Sequence, residues 1–218
     1  MDAVIPVYEV DLCALQHVAH SIRTHGALIN QIHLYWVSPR PMRDFRPQLE
    51  RVRATLNVSR RVHLREAYFR QYRSGWQGQQ VAKLMAAYHI HTEHYLLLDC
   101  KNILLRQLEM GDFIASGGQT YLGPCHKTFY GTWLASSWRA LGVPKRMQRS
   151  ICPPQSITPF VMRTSTARDM MRIINVSTRA TSVQQALTSV ISIDPNIQAG
   201  ATEFLLYSVY ALVYESRY

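Results

Sequence analysis

The segment from Trp76 to Asn102 constrains the fold more than any other part of the sequence; it reads WQGQQVAKLMAAYHIHTEHYLLLDCKN. From Gln79 to Tyr88, good helix formers alternate with apolar residues three and four positions apart, which predicts a helix. The short apolar run from Tyr95 to Leu98 is typical of a strand covered on both faces. Asp99 follows that strand, and open α/β sheets bind their ligands outside the carboxyl ends of their strands. The segment therefore predicts half of a βαβ unit with an acid at its ligand-binding edge.

The rest of the chain alternates in the same manner. Strands are predicted at Val4–Tyr8, Gln31–Val37, Val62–Glu66, Asp112–Ser116 and Thr158–Met162. Helices are predicted at Leu12–Thr24, in a basic stretch ending near Leu56, and at Trp133–Leu141, Thr166–Asn175, Ser182–Ser189 and Ala201–Val213. Asp11 is expected to cap the first helix and Gly26 to end it. Alternation of this kind predicts an α/β protein with a mostly parallel central sheet.

Length and composition are those of a globular domain. At 218 residues the chain is expected to form a single domain over residues 1–218, standing alone or as part of a longer protein. Its 47% apolar and 17% charged residues argue against disorder, and no apolar run is long enough for a transmembrane helix. The four cysteines form no C-x-x-C pair, which favours a reducing compartment and offers no zinc site.

The chain is strongly basic, with a formal net charge of +10. Between Arg40 and Arg73 there are ten arginines against Asp44, Glu50 and Glu66. Such a segment attracts phosphates, nucleic acid or an anionic leaflet, and a simple solvated basic surface is the alternative. No zinc-finger spacing, RNP-like motif or G-x-x-G clamp accompanies it, which argues against a sequence-specific nucleic-acid module.

Four segments carry a resemblance to a known family: DAVIPVYEVDL, WQGQQVAKL, LLLDCKN and TEFLLYSVY. Together they resemble a bacterial family of glycosyltransferases with the GT-A fold, associated with capsule, lipopolysaccharide and other surface-glycan clusters. The resemblance extends from Asp2 to about Tyr210. It implies a Rossmann-like fold, a nucleotide-sugar donor and a glycan or lipid-linked acceptor. It also implies a cytoplasmic enzyme, and the basic segment adds the expectation of peripheral contact with an anionic inner-membrane surface.

The resemblance also implies roles for particular residues. The first strand with its loop, and the polar face of the middle helix, are expected to border the donor: Pro6, Val7, Tyr8, Asp11, Gln80 and Lys83. The Asp-x-Asp motif of GT-A enzymes, which binds a divalent metal and the donor diphosphate, maps to Asp99-Cys100-Lys101, followed by Asn102. Here a lysine stands in place of the second acid, which leaves a requirement for Mn²⁺ or Mg²⁺ open.

The chemistry of that replacement has three interpretations. A diphosphate leaving group needs nearby positive charge, and Lys101 can supply it in place of a metal. Alternatively, Asp99 alone holds a weakly bound Mg²⁺ or Mn²⁺ that keeps several waters. In the third interpretation Lys101 only pairs with Asp99 at the surface.

An inverting transfer needs a general base for the acceptor hydroxyl. The resemblance places Glu203 near the site, at the start of the last helix, where the helix dipole favours a carboxylate. A purely structural role for Glu203 is the alternative, and Asp194 is the reserve candidate. At the level of the whole protein, a non-catalytic nucleotide- or glycan-binding protein of the same fold and a basic nucleic-acid-binding protein are the alternatives to a glycosyltransferase.

Overall fold

A computed structural model describes residues 1–56, 61–67, 75–118, 120–121, 131–149, 151–152, 157–191 and 200–215. Its centre is a five-stranded sheet in the order β3-β2-β1-β4-β5. The strands are β1 (Asp2–Val7), β2 (Gln31–Trp36), β3 (Arg61–Glu66), β4 (His94–Leu97) and β5 (Phe160–Arg163). The pairs β1–β2, β2–β3 and β1–β4 are parallel, and β5 runs antiparallel to β4. The prediction of a mostly parallel α/β sheet is therefore confirmed.

Eight α-helices are described beside the sheet: α1 (Leu12–His25), α2 (Arg46–Leu56), α3 (Gly75–Met85), α4 (Gly131–Ala140), α5 (Lys145–Gln148), α6 (Thr164–Thr178), α7 (Val183–Val190) and α8 (Glu203–Tyr214). Short 3-10 turns lie at Glu9–Asp11, Met42–Phe45, Ala86–Tyr88 and Met110–Asp112. Among these residues, no helix has both the length and the apolar content that a membrane span requires.

The two faces of the sheet belong to two separate apolar cores, because alternate residues of each strand point to opposite faces. In β4, Tyr95 and Leu97 join the core formed with α3, α4, α6, α7 and α8, whereas Leu96 joins the core formed with α1 and α2. Tyr95 to Leu98 are all fully buried. This confirms the inference, drawn from the continuous apolar run, that the strand is covered on both faces.

Of three predictions made from local pattern, two are corrected and one is confirmed. The segment Asp112–Ser116 is not a strand: a 3-10 turn ends at Asp112, and Ile114 makes only an isolated bridge to Thr120. Asp11 precedes α1, but its side chain makes no capping hydrogen bond and pairs with Lys101 instead. Gly26 ends α1 as predicted.

The cysteines also depart from expectation. Cys13 and Cys100 are free thiols, but Cys152 is disulfide-bonded. A disulfide counts against the expectation of a reducing compartment, because such bonds are rare where thiols are kept reduced.

Candidate functional site

The strand order reverses beside β1, which leads to β2 on one side and to β4 on the other. In open α/β sheets the crevice at such a switch point, outside the carboxyl ends of the strands, is where ligands bind. The residues that leave the carboxyl ends of β1 and β4 are Tyr8 to Asp11 and Asp99 to Asn102. The topology therefore brings together the two segments that the sequence selected independently.

Asp99 is held in place by contacts from three elements. Its Oδ1 atom lies 3.0 Å from Lys83 Nζ of α3, and its Oδ2 atom accepts a 2.8 Å hydrogen bond from Thr158 Oγ1. Its backbone N–H donates to Asn102 Oδ1 at 2.6 Å, and Asn102 Nδ2 donates to the Thr158 carbonyl at 3.4 Å. The Asp99 side chain is nevertheless 42% exposed, so a positioned carboxylate faces solvent at the switch point.

Lys83 joins Asp99 to a second carboxylate inside the protein. Its ammonium lies 3.1 Å from Glu203 Oε1, at the first residue of α8, and 4.9 Å from the centre of the Phe204 ring. The Lys83 side chain is 3% exposed and that of Glu203 is 0% exposed. Gln80, one turn earlier on α3, accepts the Glu203 backbone N–H through Oε1 at 3.4 Å. The result is a carboxylate–ammonium–carboxylate row that runs from the core to the pocket.

The protein environment shifts the pKa values of the two buried residues, Glu203 and Lys83. Burial raises the pKa of Glu203, and Lys83 offsets this only in part. Burial lowers the pKa of Lys83, but the carboxylates of Glu203 and Asp99 outweigh it, so the pKa of Lys83 lies above its ordinary value. Lys83 is therefore a permanent cation over the physiological pH range.

Lys101 lies on the outer side of the site. Its ammonium is 3.5 Å from Asp11 Oδ1, and its side chain is 77% exposed. Lys101 thus pairs with Asp11, and the cation that contacts Asp99 is Lys83. The free mobility of an exposed lysine leaves Lys101 able to turn toward an anionic ligand.

A small pocket of about 100 Å³ opens between these residues. Its lining is Pro6, Asp11, Gln79, Asp99, Cys100 and Lys101. The carbonyl of Pro6 accepts a hydrogen bond from Cys100 Sγ at 3.1 Å, which ties the ends of β1 and β4 together beneath the pocket. The volume is smaller than that of most ligand pockets, so it suits part of a ligand, such as a phosphate, rather than a whole nucleotide.

The other predicted donor residues lie at different depths. Tyr8 is half-buried, and its ring packs against Gly75 at the start of α3, where an added Cβ would lie 3.0 Å from Tyr8 Cε2. Val7 lies in the core, and its carbonyl accepts the Val37 N–H at 2.9 Å. Gln80 is buried beneath the row. Asp194, the reserve base, lies outside the described residues.

Two members of the site are absent from the sequence prediction. Thr158 reaches Asp99 because β5 pairs with β4 in the register Leu97↔Phe160, which continues to set residue 158 opposite residue 99. Nothing in the local sequence around Thr158 indicates this partner. Gln79, by contrast, precedes Gln80 on the predicted helix, and its place in the pocket lining follows once the start of α3 is known.

The described residues alone do not make a dedicated metal site. No group of three or more His, Cys, Asp or Glu side chains among them converges as metal ligands would. Asp99 and Asp11, the two carboxylates at the pocket, are each already paired with a lysine. Burial raises the pKa of Cys100 to about 12, so its thiol is not a ready thiolate ligand.

Fold and site together define an α/β protein with a polar pocket at the switch point of its sheet. The chain belongs to a family of unknown function, DUF6492, whose model matches residues 47–217. No curated protein matches the sequence. Among solved structures, the crystal structure of S. aureus TarS is similar, with a TM-score of 0.45 and 11% sequence identity. The match covers 97% of this chain but 33% of TarS, so function is inferred below from the residues of this chain.

Proposed function

We propose that this protein is a glycosyltransferase that transfers a sugar from a nucleotide-sugar donor to a glycan or lipid-linked acceptor in bacterial surface-polysaccharide synthesis. The observation that carries the proposal is the placement of Asp99. This carboxylate is fixed by Lys83, Thr158 and Asn102, yet remains partly exposed at the switch point of a mostly parallel sheet. The resemblance of four sequence segments to GT-A glycosyltransferases, described above, supports the choice of reaction.

The donor diphosphate is expected to lie in the pocket between β1 and β4. Lys101 is the exposed cation there, and it exchanges its partner Asp11 for the diphosphate as the leaving group gains charge. Lys83 cannot take this part because its ammonium is buried between two carboxylates. A Mn²⁺ or Mg²⁺ ion, if it takes part, would be held mainly by the diphosphate and water, with Asp99 as its protein ligand.

The transfer itself requires one proton acceptor. The acceptor hydroxyl oxygen attacks the anomeric carbon, the bond from that carbon to the diphosphate oxygen breaks, and the nucleoside diphosphate leaves with the bonding electrons. The hydroxyl proton passes to a carboxylate. Glu203 was the first candidate from the sequence, but it is 0% exposed and its Oε1 atom contacts Lys83. We therefore assign Glu203 a positioning role through Lys83, and Asp99 the role of the carboxylate that accepts the proton.

A protein that binds a nucleotide without turnover is the second candidate. It is favoured by the full burial of Glu203, which leaves Asp11 and Asp99 as the acids of the pocket lining, both paired with lysine. Hydrolysis of the donor in the absence of acceptor separates the two candidates, because a binding protein releases its ligand unchanged.

The first experiment is a thermal-shift panel of UDP, GDP, CMP and dTDP and their sugars, each with Mn²⁺, Mg²⁺ or EDTA. A ligand at about 100 times its Kd stabilises the fold by about 2.7 kcal/mol, which raises the Tm by several degrees. We expect one nucleotide class to give this shift, and the shift to persist in EDTA if Lys101 takes the place of a metal. No shift with any nucleotide would overturn the donor-site assignment.

Variants make the panel specific to this pocket. Asp99→Asn and Lys101→Met are expected to abolish the nucleotide-induced shift. Lys145→Met is the matched control, because it removes another exposed lysine, on α5, whose residues do not line the pocket. An equal loss of the thermal shift in Lys101→Met and Lys145→Met would mean that nucleotide binding depends only on the net charge of the protein.

The proposed location is the cytoplasm, with peripheral contact to the inner membrane through the arginine-rich segment. In that compartment the Cys152 disulfide would be of the transient or redox-sensing kind. Co-flotation with anionic liposomes at physiological salt tests this contact. Retention of the protein in the bottom fraction would count against it.

A further inference from the structure

The far edge of the sheet, away from the candidate site, carries a second concave surface. A groove of about 500 Å³ lies between α2, with the turn before it, and strand β3. We call it the arginine groove, because Arg43, Arg46, Arg53 and Arg65 line it. Its volume lies within the range of ligand-binding clefts, and no part of the proposed glycosyltransferase site reaches it.

Strand β3 borders this groove with an open edge. It is the terminal strand of the sheet and pairs with β2 on its other side. The Ala67 N–H donates to the Trp36 carbonyl at 2.9 Å, which sets the peptide groups of the odd-numbered β3 residues toward β2. The peptide groups of Val62, Leu64 and Glu66 therefore point outward, and no strand within the described ranges pairs with them.

The lining alternates charge with apolar surface. Met42, Leu49 and Leu64 lie in the groove between the arginines. The open edge of β3 and this alternating lining both suit an extended peptide. Such a peptide pairs through its N–H and C=O groups and places alternate side chains on one face. A phosphate would use the cations but neither the outward carbonyls nor the apolar residues.

Basic residues in and around the groove outnumber acidic ones. Glu50 is shared by Arg46 at 3.9 Å and Arg53 at 3.5 Å, so one carboxylate serves two guanidinium groups. The Glu66 carboxylate accepts the Met42 N–H at 3.3 Å. Arg43 also lies 3.8 Å from Asp44, and Arg65 Nε donates to His33 at 3.5 Å. The excess charge therefore lies in the groove together with its surroundings. Residues 40–56 and 61–67 carry seven arginines against three acids, so this surface favours an acidic occupant over a basic one.

From these observations we infer that the arginine groove is a docking site for an extended acidic peptide segment of a partner protein, which adds to the sheet as a strand beside β3. A second copy of this chain is a poorer occupant. Its own edge would bring Arg61 and Arg65 against the same residues of the first copy, and like charges opposed across strands are destabilising.

Fluorescence anisotropy with a synthetic peptide tests this inference. The probe is a fluorescein-labelled peptide of alternating Glu and Val, about eight residues long, because β3 has six residues. Its N-methylated analogue has the same charge but lacks the N–H groups of one edge. We expect the parent peptide to bind and the analogue to bind about tenfold more weakly, since the ladder supplies part of the affinity.

Charge reversal on α2 provides the matched comparison. Arg46→Glu and Arg53→Glu are expected to weaken peptide binding by about tenfold. Arg51→Glu makes the same change on the same helix at an exposed position that does not line the groove, and is expected to leave the affinity within about twofold.

Three results would overturn the inference. Binding that N-methylation does not weaken, and that inorganic polyphosphate displaces equally well, would make the groove a general anion site. A dimer that dissociates when peptide is added would make a second copy the native occupant. Absence of peptide binding at millimolar concentration would remove the docking site altogether.

Discussion

The buried ammonium of Lys83 lies 3.0 Å from the exposed carboxylate of Asp99, although the two side chains come from a helix and the end of a strand. The same ammonium contacts Glu203 at 3.1 Å in the core. The buried ammonium fixes the position of the outer carboxylate, because moving Asp99 away would break a 3.0 Å charge-assisted contact that water cannot replace at a side chain only 3% exposed. The site is therefore anchored from within the core.

Removal of the Lys83 ammonium is expected to lower the free energy of unfolding more than removal of either carboxylate alone. Lys83→Met leaves Glu203 buried without its cation and should lower the free energy of unfolding by about 3–5 kcal/mol. The double variant Lys83→Met/Glu203→Gln should be less destabilised than the sum of the single variants by about 2 kcal/mol, because it removes both charges. Urea unfolding of the wild type, Lys83→Met, Glu203→Gln and the double variant measures this coupling. Strict additivity would show that the two groups do not interact.

The hydroxyl of Thr158 is expected to matter for ligand binding more than for stability. Thr158→Val keeps the shape of the side chain but removes the 2.8 Å hydrogen bond to Asp99 Oδ2, at a cost of about 1 kcal/mol in unfolding free energy. Because Asp99 then loses one of its fixed contacts, the nucleotide-induced thermal shift should also decrease. Thr55→Val, which removes a hydroxyl bonded to the Arg51 carbonyl on α2, is the control and should leave that shift intact.

Sequence reasoning predicts those features that depend on neighbours along the chain. Tyr95 to Leu98 is a continuous apolar run, so its burial on both faces follows from composition alone. Asp99 at the strand end follows from the rule that parallel sheets bind ligands at their carboxyl edge. The placement of Asp11 near the site is implied instead by the resemblance to GT-A enzymes. Their meeting at one pocket required only that β1 and β4 be adjacent.

Contacts between distant segments could not be predicted in the same way. Lys83 and Glu203 are separated by 120 residues, and no local pattern selects them as partners. The antiparallel direction of β5, which brings Thr158 to Asp99, is likewise set by tertiary packing. At Asp112 the error was local: a short apolar stretch fits a strand or a turn equally well, and an isolated bridge formed instead.

The end of α1 offers a test of backbone packing. A Cβ added at Gly26 would lie 2.7 Å from the Ile22 carbonyl oxygen, so Gly26→Ala requires a backbone shift. We expect a loss of about 1 kcal/mol or more in unfolding free energy, measured by urea denaturation. Gly111→Ala is the matched control, because nothing lies within 4 Å of its added Cβ. An equal effect in both variants would contradict the steric explanation.

The pH dependence of stability is expected to depend on His33, which lies on β2. This histidine is buried, stacks on His63 with a centroid distance of 4.8 Å, accepts a hydrogen bond from Arg65 Nε at 3.5 Å, and has the Asp2 carboxylate 3.7 Å away. Burial, followed by the neighbouring His63 and Arg65, lowers the pKa of His33 to about 4. The ring is therefore neutral at pH 7.

The sign of the effect follows from proton binding. Between pH 6.5 and 4 the unfolded chain binds a proton at His33 that the folded protein excludes, so the free energy of unfolding falls as the pH is lowered through this window. The contribution of His33 reaches up to about 3 kcal/mol, and Asp2, whose pKa is raised by burial, opposes part of it.

Urea unfolding at pH 4, 5, 6 and 7 is expected to show a shallower decline for His33→Asn than for the wild type, although His33→Asn is less stable at pH 7. His17→Asn, which replaces an exposed histidine of α1, should retain the wild-type slope. A slope for His33→Asn identical to that of the wild type would show that the pH dependence arises elsewhere in the protein.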